Sequence, residues 1–332
     1  MSAHAVAREG TAIGPEGADD RVRPMRAFGL RVARVAQLSP HFRRISLVGE
    51  DLDLFGSGPG GETLDLRIKV LIPSPGRELP ELHAVRGSLR DDWYQNWRTL
   101  DESVRGVMRS YTVRDLRPAV PASSGVAGRA AELDIDFVLH PGGGSGPVGQ
   151  WAGGATVGDS LTVIGPCARW GDCLGIEFAP GSAERVLLVG DETAVPAIAA
   201  ILESLPAHVC GHAVLEVPIA ADFLDITFQA DVEVRWQARN GAGHGELMDA
   251  DVRNVILPAA CLRGEEPDEV DIDGALLWET PDATPAHGLY AWIAGEAAAV
   301  RGLRRYLVRD VGMDRNAVAF MGYWRMGQVL AT

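Results

Sequence analysis

The sequence predicts an N-terminal antiparallel β-barrel followed by an α/β domain with a doubly wound parallel sheet. Two observations lead there. From about residue 25 to 180, short runs carry apolar residues at near-alternate positions and are broken by turn residues, the pattern of barrels and sandwiches. Beyond about residue 180, continuous apolar runs alternate with segments of helical period, the pattern of strands buried on both faces and linked by helices. A length of 332 residues suits about two domains. The expected division is a disordered tail over 1–22, the barrel over 23–180 and the α/β domain over 181–332.

In the barrel, Phe28 to Ala36 and Arg44 to Val48 read as strands. Leu64 to Leu71 is a third, stopped by Ile72-Pro-Ser-Pro-Gly76, since proline and glycine end a ladder. Arg77 to Arg105 is polar, with Trp93 and Trp97 spaced for one face of a short helix or a packed loop. Arg109 to Arg114 is a strand, Pro118 to Arg129 a loop, and Leu133 to Leu139 and Ser160 to Ile164 are further strands.

In the second domain, Arg185 to Gly190 is a buried strand. Asp191-Glu-Thr-Ala-Val-Pro196 opens a helix, with acidic and hydroxyl residues at its start and Pro196 in its first turn. Ala213 to Val217 and Val232 to Trp236 are strands, and Glu246 to Val255 is a helix. Leu289 to Ala294 is a strand, Glu296 to Val311 a helix ending near Gly312, and Ala317 to Met321 the last strand. Leu262 to Pro285 is acidic and poorly periodic, which reads as a surface insertion.

The net charge of −14 argues against nucleic acid or an anionic membrane as the main partner, because both reward a basic surface. No apolar run approaches the roughly 20 residues that span a bilayer, and Met1 to Asp20 has no apolar signal-peptide core. A cytoplasmic protein without stable membrane association is expected. The four cysteines, Cys167, Cys173, Cys210 and Cys261, form no CxxC pair. Reduced thiols are expected, and no metal site.

Five segments carry the chemistry. Arg109-Ser-Tyr-Thr-Val-Arg114 alternates faces, so Arg109, Tyr111 and Val113 share one and Ser110, Thr112 and Arg114 the other. A guanidinium for phosphate, a ring for stacking and a hydroxyl for a heteroatom suit a planar, phosphate-bearing cofactor. An amphipathic strand with solvated arginines has the same pattern. His140-Pro-Gly-Gly-Gly-Ser-Gly-Pro-Val-Gly-Gln-Trp151 follows a strand. It is no Rossmann fingerprint, because only Val148 to Ala152 can be helical before Gly153-Gly154 and Asp159 starts a strand rather than ending one. Its short helix start still suits an anion, or the segment is a surface loop. Gly190-Asp-Glu-Thr-Ala-Val-Pro196 stands where a parallel strand meets its helix, the usual nucleotide position. Asp191 and Glu192 would repel phosphate, so they cap the helix or face a nicotinamide edge. Gly295-Glu296 is a second strand-to-helix junction, with Glu296 as a helix-start residue or a crevice residue. Met321-Gly-Tyr-Trp-Arg-Met-Gly327 sets two rings and a cation after the last strand, as a docked tail or as a cover for a bound ring.

In this order the segments resemble the siderophore-interacting protein family of ferric-siderophore reductases, built on the ferredoxin–NADP reductase plan. The resemblance runs from about Arg23 to Gly327. It rests on Met108-Arg-Ser-Tyr-Thr-Val-Arg114, Asp136-Phe-Val-Leu-His140, Gly146-Pro-Val-Gly-Gln-Trp-Ala152, Gly158-Asp159, Gly190-Asp-Glu-Thr-Ala194, Trp292-Ile-Ala-Gly-Glu296 and Gly322-Tyr-Trp-Arg-Met-Gly327. It implies an FAD-binding barrel and an NAD(P)H-binding α/β domain. In that reading Arg109 holds FAD phosphate, Ser110 is a further cofactor-binding residue, Tyr111 stacks beside the isoalloxazine and Thr112 bonds near its N5. His140 lies near the ring or ribityl edge, and Gly146, Val148, Gln150 and Trp151 cradle the pyrophosphate. Asp191, Glu192, Thr193, Ala194, Gly295 and Glu296 line the nicotinamide site, and Trp324 shields the flavin until nicotinamide displaces it.

The implied reaction passes electrons from NADH or NADPH through FAD to Fe(III) in a siderophore, and no catalytic acid or base is required. Lys69 and Arg325 are the expected substrate contacts, with Arg43 and Arg105 as further cations. The expected protein is a monomer. The acidic, apolar stretch Glu216 to Asp222 leans towards NADH, although Arg235 and Arg239 remain cations within reach of a 2′-phosphate. The alternative enzyme on this scaffold is an NAD(P)H:flavin-type oxidoreductase feeding a small redox protein or another acceptor. A siderophore-binding protein without redox work is a third class, against which the Arg109, Tyr111 and Thr112 set argues.

Overall fold

The computed structural model describes residues 22–74, 76–79, 82, 89, 91–123, 127–140, 146–256, 277–280 and 288–327. The first sheet contains β1 (Met25–Gln37), β2 (Phe42–Val48), β3 (Arg67–Ile72), β4 (Val107–Thr112), β5 (Asp115–Arg117), β6 (Glu132–Val138) and β7 (Ser160–Pro166). Helices α1 (Trp93–Thr99) and α2 (Glu102–Arg105) lie between β3 and β4, and α3 (Pro147–Gly154) between β6 and β7. The strand order is β4-β3-β7-β1-β2-β6-β5, and every pairing is antiparallel.

The two edges meet where the chain leaves β4. The Val113 amide donates to the Leu66 carbonyl at 2.9 Å and the Arg114 amide to the Asp134 carbonyl at 2.8 Å. One residue step thus carries the chain from the β3 edge to the β6 edge and curls the sheet into a half-barrel. Phe28, Leu30, Ile45, Ile68, Val113 and Phe137 fill its interior. β6 is buried on both faces, so its carboxylates need partners. Arg44 clamps Asp136 at 2.7 and 2.8 Å, and Arg117 clamps Asp134 at 2.8 and 2.9 Å.

The second sheet contains β8 (Arg185–Asp191), β9 (Cys210–Val217), β10 (Asp231–Ala238), β11 (Trp278–Glu279), β12 (Leu289–Glu296) and β13 (Val318–Trp324). Its order is β10-β9-β8-β12-β13-β11. All pairs are parallel except the two-residue β11, which runs antiparallel to β13. The order reverses between β8 and β12, the switch point at which such sheets bind ligands. Helix α4 (Val195–Ser204) packs on the face turned to the barrel. Helices α5 (Glu246–Val255) and α6 (Ala297–Arg305) cover the other. One apolar cluster joins Phe42 and Leu64 of the first domain to Leu188, Ile198 and Trp292 of the second.

Four expectations shift. β3 starts at Arg67 rather than Leu64, because Leu64 takes φ of 49° and the chain is still turning there. α4 starts at Val195, with Ala194 at its cap and no side chain bonded to it, so neither Asp191 nor Thr193 caps it. α6 stops at Arg305, and Tyr306–Asp310 form a wider π turn before Gly312 at φ of 78°. The segment read as an insertion supplies β11: Leu277 is buried, and Glu279 pairs with Arg304 at 2.7 Å. The remainder of 262–285, the tail 1–21, residues 141–145 of the glycine loop and Cys261 lie outside the described residues. Among those described, no helix is long and apolar enough to cross a membrane.

Candidate functional site

The expected flavin surface lies on β4 and the start of α3. Tyr111 packs on Phe137 with ring centroids 4.6 Å apart, and Phe137 meets Trp151 of α3 at 5.9 Å. Burial pushes the Tyr111 phenol up, so it stays neutral. Arg109 is half-buried, and one of its N–H groups donates to the Met108 carbonyl at 2.6 Å. Burial lowers its pKa. Ser110 is exposed and accepts from Lys69 Nζ at 2.8 Å, because β3 and β4 pair these two residues directly. Lys69 and Ser110, read from the sequence as substrate and cofactor contacts, therefore bond to each other, with the Arg109 charge near enough to act on Lys69. Burial, then the charges of Arg67 and Arg109, lowers the Lys69 ammonium.

Thr112 is buried, and Arg67, its partner on β3, lies over the Trp278 ring at 4.3 Å, which stacks on Tyr323 of β13 at 6.0 Å. The start of α3 has Gly146 at its cap, Pro147 next and no side-chain cap, so its first N–H groups have no partner within the helix. Val148 is buried in the barrel core, while Gln150 is exposed. Arg43 closes the other end of α3, donating to the carbonyls of Gly153 at 2.7 Å and Ala155 at 3.1 Å. This donor set fits FAD: a guanidinium and first-turn helix N–H groups without intrahelical partners for phosphates, beside an aromatic floor for the ring.

The second half of the site is the β8–β12 switch point, and Asp191 is its hub. The carboxylate is buried. Oδ1 accepts from the Thr193 amide at 2.9 Å and its hydroxyl at 2.5 Å. Oδ2 accepts from the Glu296 amide at 2.8 Å and from Trp324 Nε1 at 2.7 Å. Burial first, and the Glu192 charge second, push its pKa up to about 7. Gly295 stands against this carboxylate at φ of 148°, where a Cβ would meet Oδ2 at 2.7 Å. Glu296 caps α6, accepting from Ala298 and Ala299 amides at 2.7 and 3.0 Å, and its other oxygen accepts from the Met326 amide at 3.2 Å. Three separate sequence segments thus meet at two carboxylates. Ala194 packs in the core beneath them.

Glu192 faces neither solvent nor the start of α4. It makes a buried two-pronged pair with Arg239, 2.7 Å at each oxygen. Glu216 accepts from the same guanidinium at 3.3 Å and from the Gly245 and Met248 amides at 2.8 and 3.0 Å. Arg235 is held by Asp251 at 2.7 and 2.9 Å. Both arginines are thus ion-paired, Arg239 in the interior and Arg235 at a partly exposed site.

Asp222 is fully buried and docks onto the barrel. It accepts from Ser39 Oγ at 2.7 Å and the His41 amide at 3.0 Å, and pairs with His41 Nδ1 at 2.7 Å. The acidity of the 216–222 stretch is therefore used inside the protein, and it is no measure of charge at the nucleotide. His140 lies at the cleft, close enough to feel Glu192, His41, His244 and Arg239, and desolvation of its ring lowers its pKa. His244 sets its ring edge-on to Trp324 at 4.9 Å. Arg325 follows Trp324 and is half-buried. Arg105 pairs with Glu102 and covers Trp97 at 5.3 Å, which places it in the α1–α2 packing, away from the β4 cluster.

Asp65 and His244 have no signature in the sequence, because each acts through a residue distant along the chain, and Arg239 shows only as a cation at the end of a parallel strand. Asp65 accepts from Trp292 Nε1 at 2.8 Å and from the Phe178 amide at 3.1 Å.

Known proteins resemble this chain in both of its domains. Residues 31–170 match the family described as siderophore-interacting FAD-binding domain, and 183–327 the one described as siderophore-interacting protein. The crystal structure of the siderophore-interacting protein SipS from Aeromonas hydrophila superposes with a TM-score of 0.59 at 30% identity, covering 92% of this chain and 93% of that one. Ferric vibriobactin reductase ViuB of Vibrio cholerae is 32% identical over 211 residues, 64% of this chain and 66% of its own length. The NADPH-dependent ferric-chelate reductase of Escherichia coli is 33% identical over 188 residues, 56% of this chain and 60% of its own.

Proposed function

This chain belongs to the siderophore-interacting protein family, and from that membership we propose that it is an FAD-containing, NAD(P)H-dependent ferric-siderophore reductase. It reduces chelated Fe(III) to Fe(II), and the iron leaves because Fe(II) binds hard oxygen ligands far less well. When bound, FAD supplies the conversion of a two-electron donor into one-electron deliveries. The residues of the chain bind and orient. Arg109 and the α3 start at Gly146 take the phosphates, and Tyr111, braced by Phe137, offers a ring face. Asp191 and Glu296 fix the crevice for the nicotinamide, with Trp324 at its mouth. Lys69 and Arg325 attract an anionic ferric chelate. The protein works as a cytoplasmic monomer.

The observation that carries this reading is the bridge from Arg67, the β3 partner of Thr112, to the Trp278 ring at 4.3 Å and on to Tyr323 at 6.0 Å. It supports a flavin strand that faces the segment carrying Trp324. The pairing of Arg239 and Arg235 with carboxylates supports NADH as the preferred donor.

The test is anaerobic mixing of flavin-loaded protein with NADH or NADPH, then with a panel of ferric siderophores and an Fe(II) trap. Flavin bleaching followed by trapped Fe(II), with NADH faster, is expected. Bleaching without Fe(II) from any chelate would sink the reductase reading and leave a flavin oxidoreductase serving another acceptor.

A further inference from the structure

Arg114 ends the six-residue motif, and the flavin reading gives it no task. The structure places it across the domain interface. Its Nη1 donates to Glu203 Oε2 at 2.7 Å and its Nη2 to Oε1 at 2.5 Å. The fork is backed by charge: Arg114 Nε lies 3.8 Å from Asp136, which Arg44 holds at 2.7 Å. Arg44, Asp136, Arg114 and Glu203 thus form a neutral row of four charges from β2 to α4. Between the domains here is a half-open cleft of about 370 Å³, lined by these residues together with Leu38 and Pro196 among others. Side-chain packing does not fill this part of the interface, and the ion pair spans it.

Both partners are placed to matter. Arg114 lies two residues beyond Thr112 on the segment that carries Arg109 and Tyr111. Glu203 sits in the last turn of α4, whose first turn follows directly on the Asp191 hub. Eight residues separate Val195 from Glu203, a lever of about 12 Å at 1.5 Å per residue. A bidentate guanidinium–carboxylate pair fixes angle as well as distance, whereas an apolar contact allows sliding.

We infer that the Arg114–Glu203 pair is a clamp that sets the angle between the flavin and nucleotide half-sites, making Arg114 a positioning residue. The inference rests on the function proposed above. The buried contacts of Asp65 with Trp292 and of Asp222 with His41 keep the domains together without the clamp, so its loss changes angle rather than association.

The test compares Arg114→Ala, Glu203→Gln and the double variant. In flavin-free protein, backbone hydrogen exchange in α4 and in residues 113–117 should quicken equally in all three, with FAD affinity unchanged. In loaded protein, bleaching by NADH or NADPH should slow roughly 10- to 100-fold, since about 1 Å of misplacement can cost that much. The double variant should be no slower than either single one, and Arg114→Lys should fall between. Reoxidation of dithionite-reduced protein by ferric citrate should stay within about twofold of the wild type. Additive losses, equal losses in both half-reactions, or no change in exchange and bleaching would each overturn the clamp. Wild-type protein that bleaches but yields no Fe(II) overturns the functional reading alone. Wild-type protein that neither nucleotide bleaches overturns both.

Discussion

Tyr111 shows how much one ring can contribute. It is braced from behind by Phe137, so its orientation is set before any ligand arrives. Stacking of this kind contributes about 1–3 kcal/mol per ring. Tyr111→Ala should weaken FAD binding by that amount, about 5- to 150-fold in the dissociation constant measured by flavin fluorescence titration. Tyr111→Phe should leave it close to the wild type, because the phenol stays neutral and stacking needs only the ring. Unchanged flavin affinity in the alanine variant would remove Tyr111 from the site. The alternation of residues 109–114 made this segment visible in the sequence. The task of Arg114 was not visible, because its partner Glu203 lies 89 residues away.

At the scale of elements, the junction of β12 with α6 holds two functions in two residues. Gly295 leaves room for the Asp191 carboxylate, and Glu296 caps the helix. Losing a cap costs about 0.5–2 kcal/mol. Glu296→Ala should therefore lower the unfolding free energy by about that much, read from a denaturant titration. It should also loosen residues 324–326, which the other carboxylate oxygen holds through Met326. A loss confined to stability, with Trp324 fluorescence unchanged, would separate the cap from the crevice. Most elements were legible because strand and helix periods are local properties. β11 was not: two residues carry no period, and only pairing with β13 makes Trp278 and Glu279 a strand. The start of α4 was misjudged for the opposite reason. Asp191 and Thr193 have the chemistry of caps, yet a stronger set of donors around the buried carboxylate draws them away.

At the scale of the molecule, Asp65 belongs to the first domain and accepts from the Glu177 and Phe178 amides there and from Trp292 Nε1 of the second domain. Burial pushes its pKa up from 3.8 to about 6. The folded protein therefore keeps a proton that the unfolded chain releases between those values, and stability falls as pH rises through that window. The difference amounts to about 3 kcal/mol. Below pH 3.8 the penalty is absent, and above about 6 it is complete. Asp65→Asn should gain on the wild type by that amount between pH 4 and 6.5, measured by urea unfolding at each pH. A constant offset between the two proteins would show that Asp65 titrates normally.

The carboxylates of Asp65 and Asp222 also decide how this architecture can be taken apart. Each is buried and takes at least one donor from the other domain, Trp292 for Asp65 and Ser39 with His41 for Asp222. Grafting either domain onto a relative's partner would cover the carboxylate while removing Trp292 or His41. Removing a partner from a buried charge costs up to roughly 3–5 kcal/mol. Workable hybrids must therefore transplant Ser39, His41 and Asp222 together, and Asp65 together with Trp292. The unit of exchange in this chain is the interface pair, and the domain boundary is the wrong place to cut.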